Sequence, residues 1–536
     1  MKLRKYIISL FALPLLVACG GSNGGGGGKG EIDFDHSVPI LDVDNIPVGD
    51  IHKDALGGAI SEDADNYYFD FYEVSDYHGA VNYSADDKTI GLTKMADYMS
   101  KKRALNPGGT IVLSSGDMFQ GGAESNLTRG YLVNYGMNIM GFESMTLGNH
   151  EFDWGVDWIK KNAQLKVDNY AIPFLGANVY EKATGQILTG LQPSTVITRG
   201  EFKIGVVGTL GNGAEKSIMR SLISELEFKD EVPIVKAEAA RLKTEENCDI
   251  VVWSSHRDVE ELTKAGVTKA DGVDVVFGGH THKNTDDSTS DIPYLETKNM
   301  GKGIAHAKMA VNKLTKLVSC VSHEVDEAPY AFAGLVDHTE VQKVFNVYNQ
   351  YIDPIKNEII GKADRKLEVS NSFTLTNLCV DTMAMAAQRF ADNNLNGVKI
   401  CASYHNANGG VRADINAGDV KFGDVYKSFP FDNEVVICQV SGAKLKDFTM
   451  KPGNFGFWRD LDILSSRSAI DTAATYFFTT TDFWATAEAS NFGFTEEDLI
   501  RTGYIVRDCV AARFEYEGTV QGKNFTATLD KFKLPS

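Results

Sequence analysis

The chain has 536 residues, too many for one ordinary core, so two domains are the default. Hydrophobic residues make up 43% and charged residues 23%, a globular composition that excludes a disordered chain. The net charge of −19 repels phosphate backbones and excludes bulk nucleic-acid binding, but it leaves room for a local positive site such as a bound metal.

The first segment reads as a targeting signal. Lys2, Arg4 and Lys5 precede the apolar run "YIISLFALPLLVA", which is too short to span a bilayer comfortably. "LVAC" at Leu16 to Cys19 resembles a bacterial lipobox. That resemblance implies a signal peptide over residues 1–19, cleavage before Cys19, and lipid on its sulfur. The mature protein is then exported and membrane-anchored in the cell envelope, at the outer membrane, at the cell surface or facing the periplasm. "GGSNGGGGGKG" has no side chains to pack, and residues 20–66 are expected to form a flexible tether. The six remaining cysteines form no CxxC pair, and several sit in apolar runs such as "VKICASY". They read first as small buried hydrophobes, with a disulfide left open.

From about Tyr67 to Lys313, short apolar runs alternate with helical stretches. "TIVLSSG", "FKIGVVGTLG", "DIVVWSS" and "VDVVFGG" predict buried strands, because they are rich in β-branched residues and bounded by Gly or Ser. "LTKMADYMSKKRA" and "VPIVKAEAARLKTEE" predict amphipathic helices. The alternation argues for a layered α/β domain over residues 67–330. Val341, Val344, Phe345, Tyr348, Ile352, Ile355 and Ile359 recur at helical spacing. They predict a connecting helix within residues 331–362, kinked at Pro354. A second α/β or α+β domain is expected over residues 363–536.

The ends of the predicted strands carry the chemistry. "YFDFYEVSDYHG" ends in Asp76 and His78, which on a strand would share one face. Asp117 follows "TIVLSSG", Asn149 and His150 follow "MTLG", and His256 ends "DIVVWSSH". "VDVVFGGHTH" ends in His280 and His282. Ligands of layered α/β proteins gather at the carboxyl ends of strands. Five of the eleven histidines lie at these ends, too many for independent caps or satisfied core histidines. Carboxylate, amide oxygen and imidazole without cysteine suit Zn²⁺, Mn²⁺, Fe or Co²⁺. This many ligands exceed one tetrahedral ion, so two ions are the simpler account.

"GDMFQGG", "GNHEFDWG", the lone "SH" after a strand and "GGHTH" resemble the calcineurin-like dinuclear metallophosphoesterases, and their order resembles the bacterial 5′-nucleotidase family. The resemblance implies an N-terminal layered αββα metallophosphoesterase domain and a C-terminal α/β substrate-binding domain. It implies that Asp76, His78 and His282 hold one divalent ion, that Asn149, His256 and His280 hold the other, and that Asp117 bridges them. Zn²⁺ or Mn²⁺ is favoured, with Co²⁺, Fe²⁺ or Mg²⁺ as alternatives. It further implies that His150 is the catalytic imidazole, held by Asp153. Glu151 and Trp154 are read as folding residues. Ser75 stands where the family often has Asn.

In the second domain "NANGGVRADI" resembles the family's phosphate-facing loop, with Arg412 as the clamp and Asn408, Gly409 and Gly410 as its frame. Ala407 takes the place of the usual Asn, and Asn406 or Asn408 is expected to compensate. "SFPFDNEV" resembles the base-stacking loop, with Phe431 under the base and Asn433 at its edge. Asn371 stands where an Arg is usual. "YFFTTTDFW" lacks the usual glycines but retains Tyr476 for stacking and Asp482 for the ribose. The implied function is hydrolysis of extracellular nucleotides, for catabolism and salvage, by a two-metal-activated hydroxide, in a monomer. The alternatives are the same metal site acting on UDP-sugars, 2′,3′-cyclic nucleotides or a thiosulfate conjugate, or a non-catalytic surface lipoprotein.

Overall fold

Consecutive side chains along a strand point to opposite faces, and here the two faces belong to different apolar layers. The computed structural model describes residues 31–35, 40–287, 289–450, 455–486, 494–526 and 530–532. In it Phe69, Phe71, Ile111, Leu113, Val206, Ile250, Val252 and Phe277 pack into one cluster between two sheets. Their neighbours Tyr72, Val112 and Met145 face the opposite way, onto Met95 and Leu132 of helices Leu92–Leu105 and Tyr131–Met140. Val207, Val251, Trp253 and Val276 pack outward on Val235 and Leu242 of helix Glu231–Thr244. Sheets covered on both faces need runs apolar on both faces, which is how these segments read. The result is an αββα sandwich.

The first sheet has the order Val318–Asp326, Ile304–Asn312, Asn66–Val74, Thr110–Ser114, Ser144–Thr146, Phe174–Leu175. Its last four strands are parallel. The second sheet runs Thr285–Asp287, Tyr294–Glu296, Val275–Phe277, Ile250–His256, Phe202–Leu210, Ser194–Arg199. Its four middle strands are parallel. The parallel strands place the carboxyl ends of Asn66–Val74, Thr110–Ser114, Ser144–Thr146, Ile250–His256 and Val275–Phe277 along one edge of the sandwich.

The second domain holds a five-stranded sheet with the order Phe455–Arg459, Ile400–Asn406, Thr475–Thr481, Glu434–Ser441, Leu499–Ile505. A three-stranded sheet of Gly418–Lys421, Ile359–Ala363 and Thr519–Val520 accompanies it. Helix Thr339–Lys356 joins the domains and buries Val341, Val344, Tyr348 and Ile352.

Three expectations are corrected. The connecting helix ends at Lys356, and Ile359 is 58% exposed on a strand of the second domain. Pro354 lies in the helix's last turn, where its ring and missing N–H favour an end. The second domain therefore begins before residue 363. The tether is also shorter than residues 20–66. Ile32, Phe34, Val43 and Ile46 are buried, and the amides of Leu41 and Asp54 donate to Leu127 and Ile139 of the first domain. Apolar residues return right after the glycine run, and burying them outweighs the entropy of a free coil. Cys248, Cys320, Cys379, Cys401, Cys438 and Cys509 are unpaired thiols, all buried except half-buried Cys320. Cys19 lies outside the described residues. No helix among the described residues is long and apolar enough to cross a membrane.

Candidate active site

Asp76, His78, Asp117, Asn149, His256, His280 and His282 converge at the edge of the sandwich. Asp76, His78 and His282 form one group whose ligand atoms lie within 4.8 Å of one another, and Asp117, His256 and His280 form another. Asn149 joins the second through its Oδ1, 2.9 Å from His280 Nδ1. The convergence is made by turns. Strand Asn66–Val74 stops short of Asp76 and His78, and strand Val275–Phe277 stops short of His280 and His282. Asp76, His78, Asp117, His280 and His282 all have positive φ, between 50° and 81°. The expected shared strand face is thus replaced by left-handed backbone, which costs roughly 1–3 kcal/mol per residue and persists where surrounding structure enforces it. Packing is equally tight at Gly148, where an added Cβ would collide with Asp117 Oδ1.

The donor set fits divalent cations. His78 Nδ1 donates to the Gln120 carbonyl at 2.9 Å and His256 Nδ1 to the Ser115 carbonyl at 2.8 Å. A carbonyl accepts only, so each neutral imidazole presents an Nε2 lone pair inward. His256 Nε2 is buried, lacks a hydrogen bond, and lies 3.1 Å from Asp117 Oδ2. A lone pair facing a carboxylate calls for a positive charge between them. Burial opposes charge on His256, yet Asp117 pulls its pKa up to about 10, which marks the same demand for a cation. Burial pushes His78 down to about 3 and His280 to about 4, so both are neutral, as ligands must be.

His150 and Asp153 stand beside this cluster. His150 Nδ1 lies 2.8 Å from Asp153 Oδ2, and the His150 amide donates to Asp117 Oδ1 at 2.8 Å. Burial opposes charge on His150, but Asp153 and Asp117 outweigh it and raise its pKa. Glu151 accepts from the amides of Asp117 and Met118 at 2.8 and 2.9 Å and of Gly148 at 2.7 Å. It ties together the two turns that carry Asp117 and Asn149, a structural task.

A cavity of about 270 Å³ joins this edge to the second domain, bringing Asp117, Asn149, His150 and Asp153 together with Asn406, Gly409, Gly410, Arg412, Phe431 and Asn433. Phe431 stacks on His150, with centroids 5.7 Å apart, and the Arg412 guanidinium lies 5.2 Å from the Phe431 ring. The Pro430 carbonyl accepts from Asn126 of the first domain at 2.8 Å. Asp432 pairs with Arg129 at 2.6 Å and with Arg507 at 2.9 Å, one from each domain.

Residues 48–284 match the family model of the calcineurin-like phosphoesterases, and residues 358–453 that of the 5′-nucleotidase C-terminal domain. The chain belongs to the 5′-nucleotidase family of calcineurin-like phosphoesterases. Protein UshA of Yersinia enterocolitica is 24% identical, over 74% of this chain and 78% of that protein. The 5′-nucleotidase of Bos taurus is 24% identical, over 73% of each. The 5′-nucleotidase precursor of Thermus thermophilus has the same fold, with a TM-score of 0.66 at 17% identity, covering 88% of this chain and 99% of that one. The calcineurin-like phosphoesterase fold implies a dinuclear divalent-metal site, and the seven converging residues lie where this chain's strands end.

In this family member the nucleoside side departs from expectation. Tyr476 is not among the cavity residues. Its hydroxyl accepts from the Asp471 amide at 3.1 Å, at the start of strand Thr475–Thr481. The cavity lies past the strand's other end, roughly 17 Å away at strand rise, where Phe483 lines it. Asp482 is also absent from the lining. It accepts from the amides of Glu434 and Phe483 at 3.0 and 2.8 Å and pairs with Arg501 at 3.2 Å. Asn371 is exposed and away from the cavity. Asn406 lines it, with its side-chain oxygen unpaired among the described residues. The Asn408 side chain lies outside the described residues. Trp154, read as a folding residue, lines the cavity and stacks under Arg129 at 5.3 Å. A missed signal for Phe483 is "DFW" at the strand's carboxyl end, the same kind of position that singled out the metal ligands.

Proposed function

We propose that the protein hydrolyses nucleotides, with the phosphoryl group at the convergent histidines and carboxylates and the base against Phe431 and Phe483. The observation that carries this reading is one cavity lined by both His150 of the first domain and Phe431 of the second. Asp76, His78 and His282 would hold one divalent ion, Asn149, His256 and His280 the other, with Asp117 shared, and Zn²⁺ or Mn²⁺ best suits the donors. Bound, such ions neutralise the phosphoryl group and acidify water. His150, oriented by Asp153 as a carboxylate orients a triad histidine, stands ready to give a proton to the leaving oxygen. Its raised pKa keeps it charged to higher pH than a free imidazole. Arg412 supplies a charge-assisted contact to phosphate, and Asn433 and Asn406 offer polar edges to the nucleoside.

The lipobox-like "LVAC" supports export and lipid attachment at Cys19. The test is hydrolysis by purified protein, supplied with Mn²⁺ or Zn²⁺, of AMP, UDP-glucose, a 2′,3′-cyclic nucleotide and a thiosulfate conjugate, read as release of phosphate, UMP, the nucleoside monophosphate and sulfate respectively. Turnover of AMP supports the reading. Turnover of the thiosulfate conjugate alone replaces it, and no turnover of any supports the non-catalytic alternative.

A further inference from the structure

Phe69, Phe71 and Glu73 alternate with their neighbours along strand Asn66–Val74 and share its face between the two sheets. Phe69 and Phe71 join the apolar cluster there. Glu73 instead puts a carboxyl into the same interior, with no exposed surface. Burial pushes its pKa well above the usual carboxylate range, and its Oε2 has no hydrogen-bond partner among the described residues. A buried carboxyl with one bond unmade costs stability, so something must offset that cost.

The other oxygen shows what Glu73 does. Glu73 Oε1 accepts from the Ser115 amide at 3.1 Å. The carbonyl of Ser115 in turn accepts from His256 Nδ1 at 2.8 Å. Ser115 Oγ lies 3.0 Å from Ser254 Oγ, which lies 2.8 Å from Thr146 Oγ1. Ser115, Ser254 and Thr146 are as fully buried as Glu73. The last layer between the sheets, just beneath the metal-ligand candidates, is therefore polar where the interior below it is apolar. Ser115 and Thr146 come from the first sheet, Ser254 and His256 from the second. Apolar contacts are non-directional, whereas hydrogen bonds fix a distance and a direction.

We propose that Glu73 is a positioning residue for the metal-ligand candidate His256, acting through the backbone of Ser115. Glu73 holds the Ser115 amide and Ser254 holds its hydroxyl, so the Ser115 carbonyl has one direction. That direction fixes the His256 ring and keeps Nε2 aimed at the cluster. Asp117, two residues on, does not depend on Glu73, because Glu151 holds its amide. The inference rests on the metal reading above and adds to it which interior group sets one imidazole.

The test compares wild type with Glu73→Gln, which keeps an acceptor at the Oε1 position, and Glu73→Met, which fills the space without one. Metal-free protein is titrated with Mn²⁺ in a calorimeter. Glu73→Gln should bind both ions within about threefold of wild type. Glu73→Met should bind one of the two roughly ten- to a hundredfold more weakly, as loss of a ligand's outer partner predicts. A merely structural Glu73 would lower the unfolding midpoint of Glu73→Met and leave both affinities unchanged, and that result overturns the proposal. A loss in Glu73→Gln as large as in Glu73→Met also overturns it, because the acceptor atom would then not matter. Crystal structures of metal-free wild type and Glu73→Met read the same contact without an ion. The Ser115 carbonyl should lie beyond hydrogen-bond distance of His256 Nδ1 in the variant, and a contact kept in both overturns the proposal. Wild type that binds no divalent ion overturns the metal reading, while the two crystal structures still decide the role of Glu73. Glu73→Asp, which withdraws the carboxyl by one methylene, takes the place of Glu73→Met if that variant does not fold.

Discussion

The imidazole of His150 and the ring of Phe431 stack at 5.7 Å and 26°, although one belongs to the αββα sandwich and the other to the second domain. This contact brings the proposed proton donor and the proposed nucleoside side of the cavity together, and it exists only while the domains are closed on each other. Closure of this kind excludes water and completes a site.

His150→Ala should lower kcat by roughly 10²–10⁴ with metal content retained if His150, beside the cluster, has the acid role proposed for it. Asp153→Asn should act in the same direction more mildly, since it removes only the 2.8 Å restraint on Nδ1. Single-turnover rates with parallel elemental analysis check both. Loss of metal in His150→Ala would make it a ligand instead.

Two divalent ions per chain should be found under saturating metal, and a chelator should abolish turnover reversibly. Asp117 has a ligand atom within 4.8 Å of those of His256 and His280 and also of those of His78 and His150, so Asp117→Asn should depress both sites at once. A stoichiometry that stays near one in wild type would refute the paired site.

Phe483→Ala should raise KM for a nucleotide by about tenfold or more, given stacking worth roughly 1–3 kcal/mol per base. Tyr476→Ala should leave KM unchanged, because Tyr476 lies at the far end of its strand. Initial-rate kinetics on the two variants separate the positions, and the reverse pattern would restore Tyr476 as the stacking residue.

Asp432 should stabilise the closed pair of domains in a pH-dependent way. Burial raises its pKa, but Arg129 and Arg507 outweigh burial and bring it from 3.8 to about 2. A carboxyl depressed by folding contributes stability that is full above its unfolded pKa and is lost as pH falls through the folded value. The contribution of about 2 kcal/mol should thus be present above about pH 4 and fade toward pH 2. Urea midpoints of wild type and Asp432→Asn should differ at pH 6 and converge as the pH drops through 4. A gap constant with pH would mean that the carboxylate's charge plays no part.

The layered domain and the residues that gather at its edge were legible in the sequence because both depend on local pattern. Val251 and Val252 lie on opposite faces of one strand whatever its neighbours, so β-branched runs such as "DIVVWSS" announce a sheet covered on both sides. Asp117, Asn149 and His256 sit at strand ends because the turns that place them are encoded within a few residues. The second domain was less legible. Tyr476 and Phe483 are both aromatic and seven positions apart, and only the strand's direction in the sheet decides which one meets the cavity. The Arg129–Asp432–Arg507 clasp, the cavity lined by Lys302 and Lys427, and the packing of residues 31–35 and 40–66 all join parts of the chain that are remote in sequence. Their side chains carry no local sign of the partner they meet. Spacing along the chain determines which face of a strand or helix a residue takes, whereas contact between distant elements depends on how those faces dock, and burial and charge decide that only once the whole fold has closed.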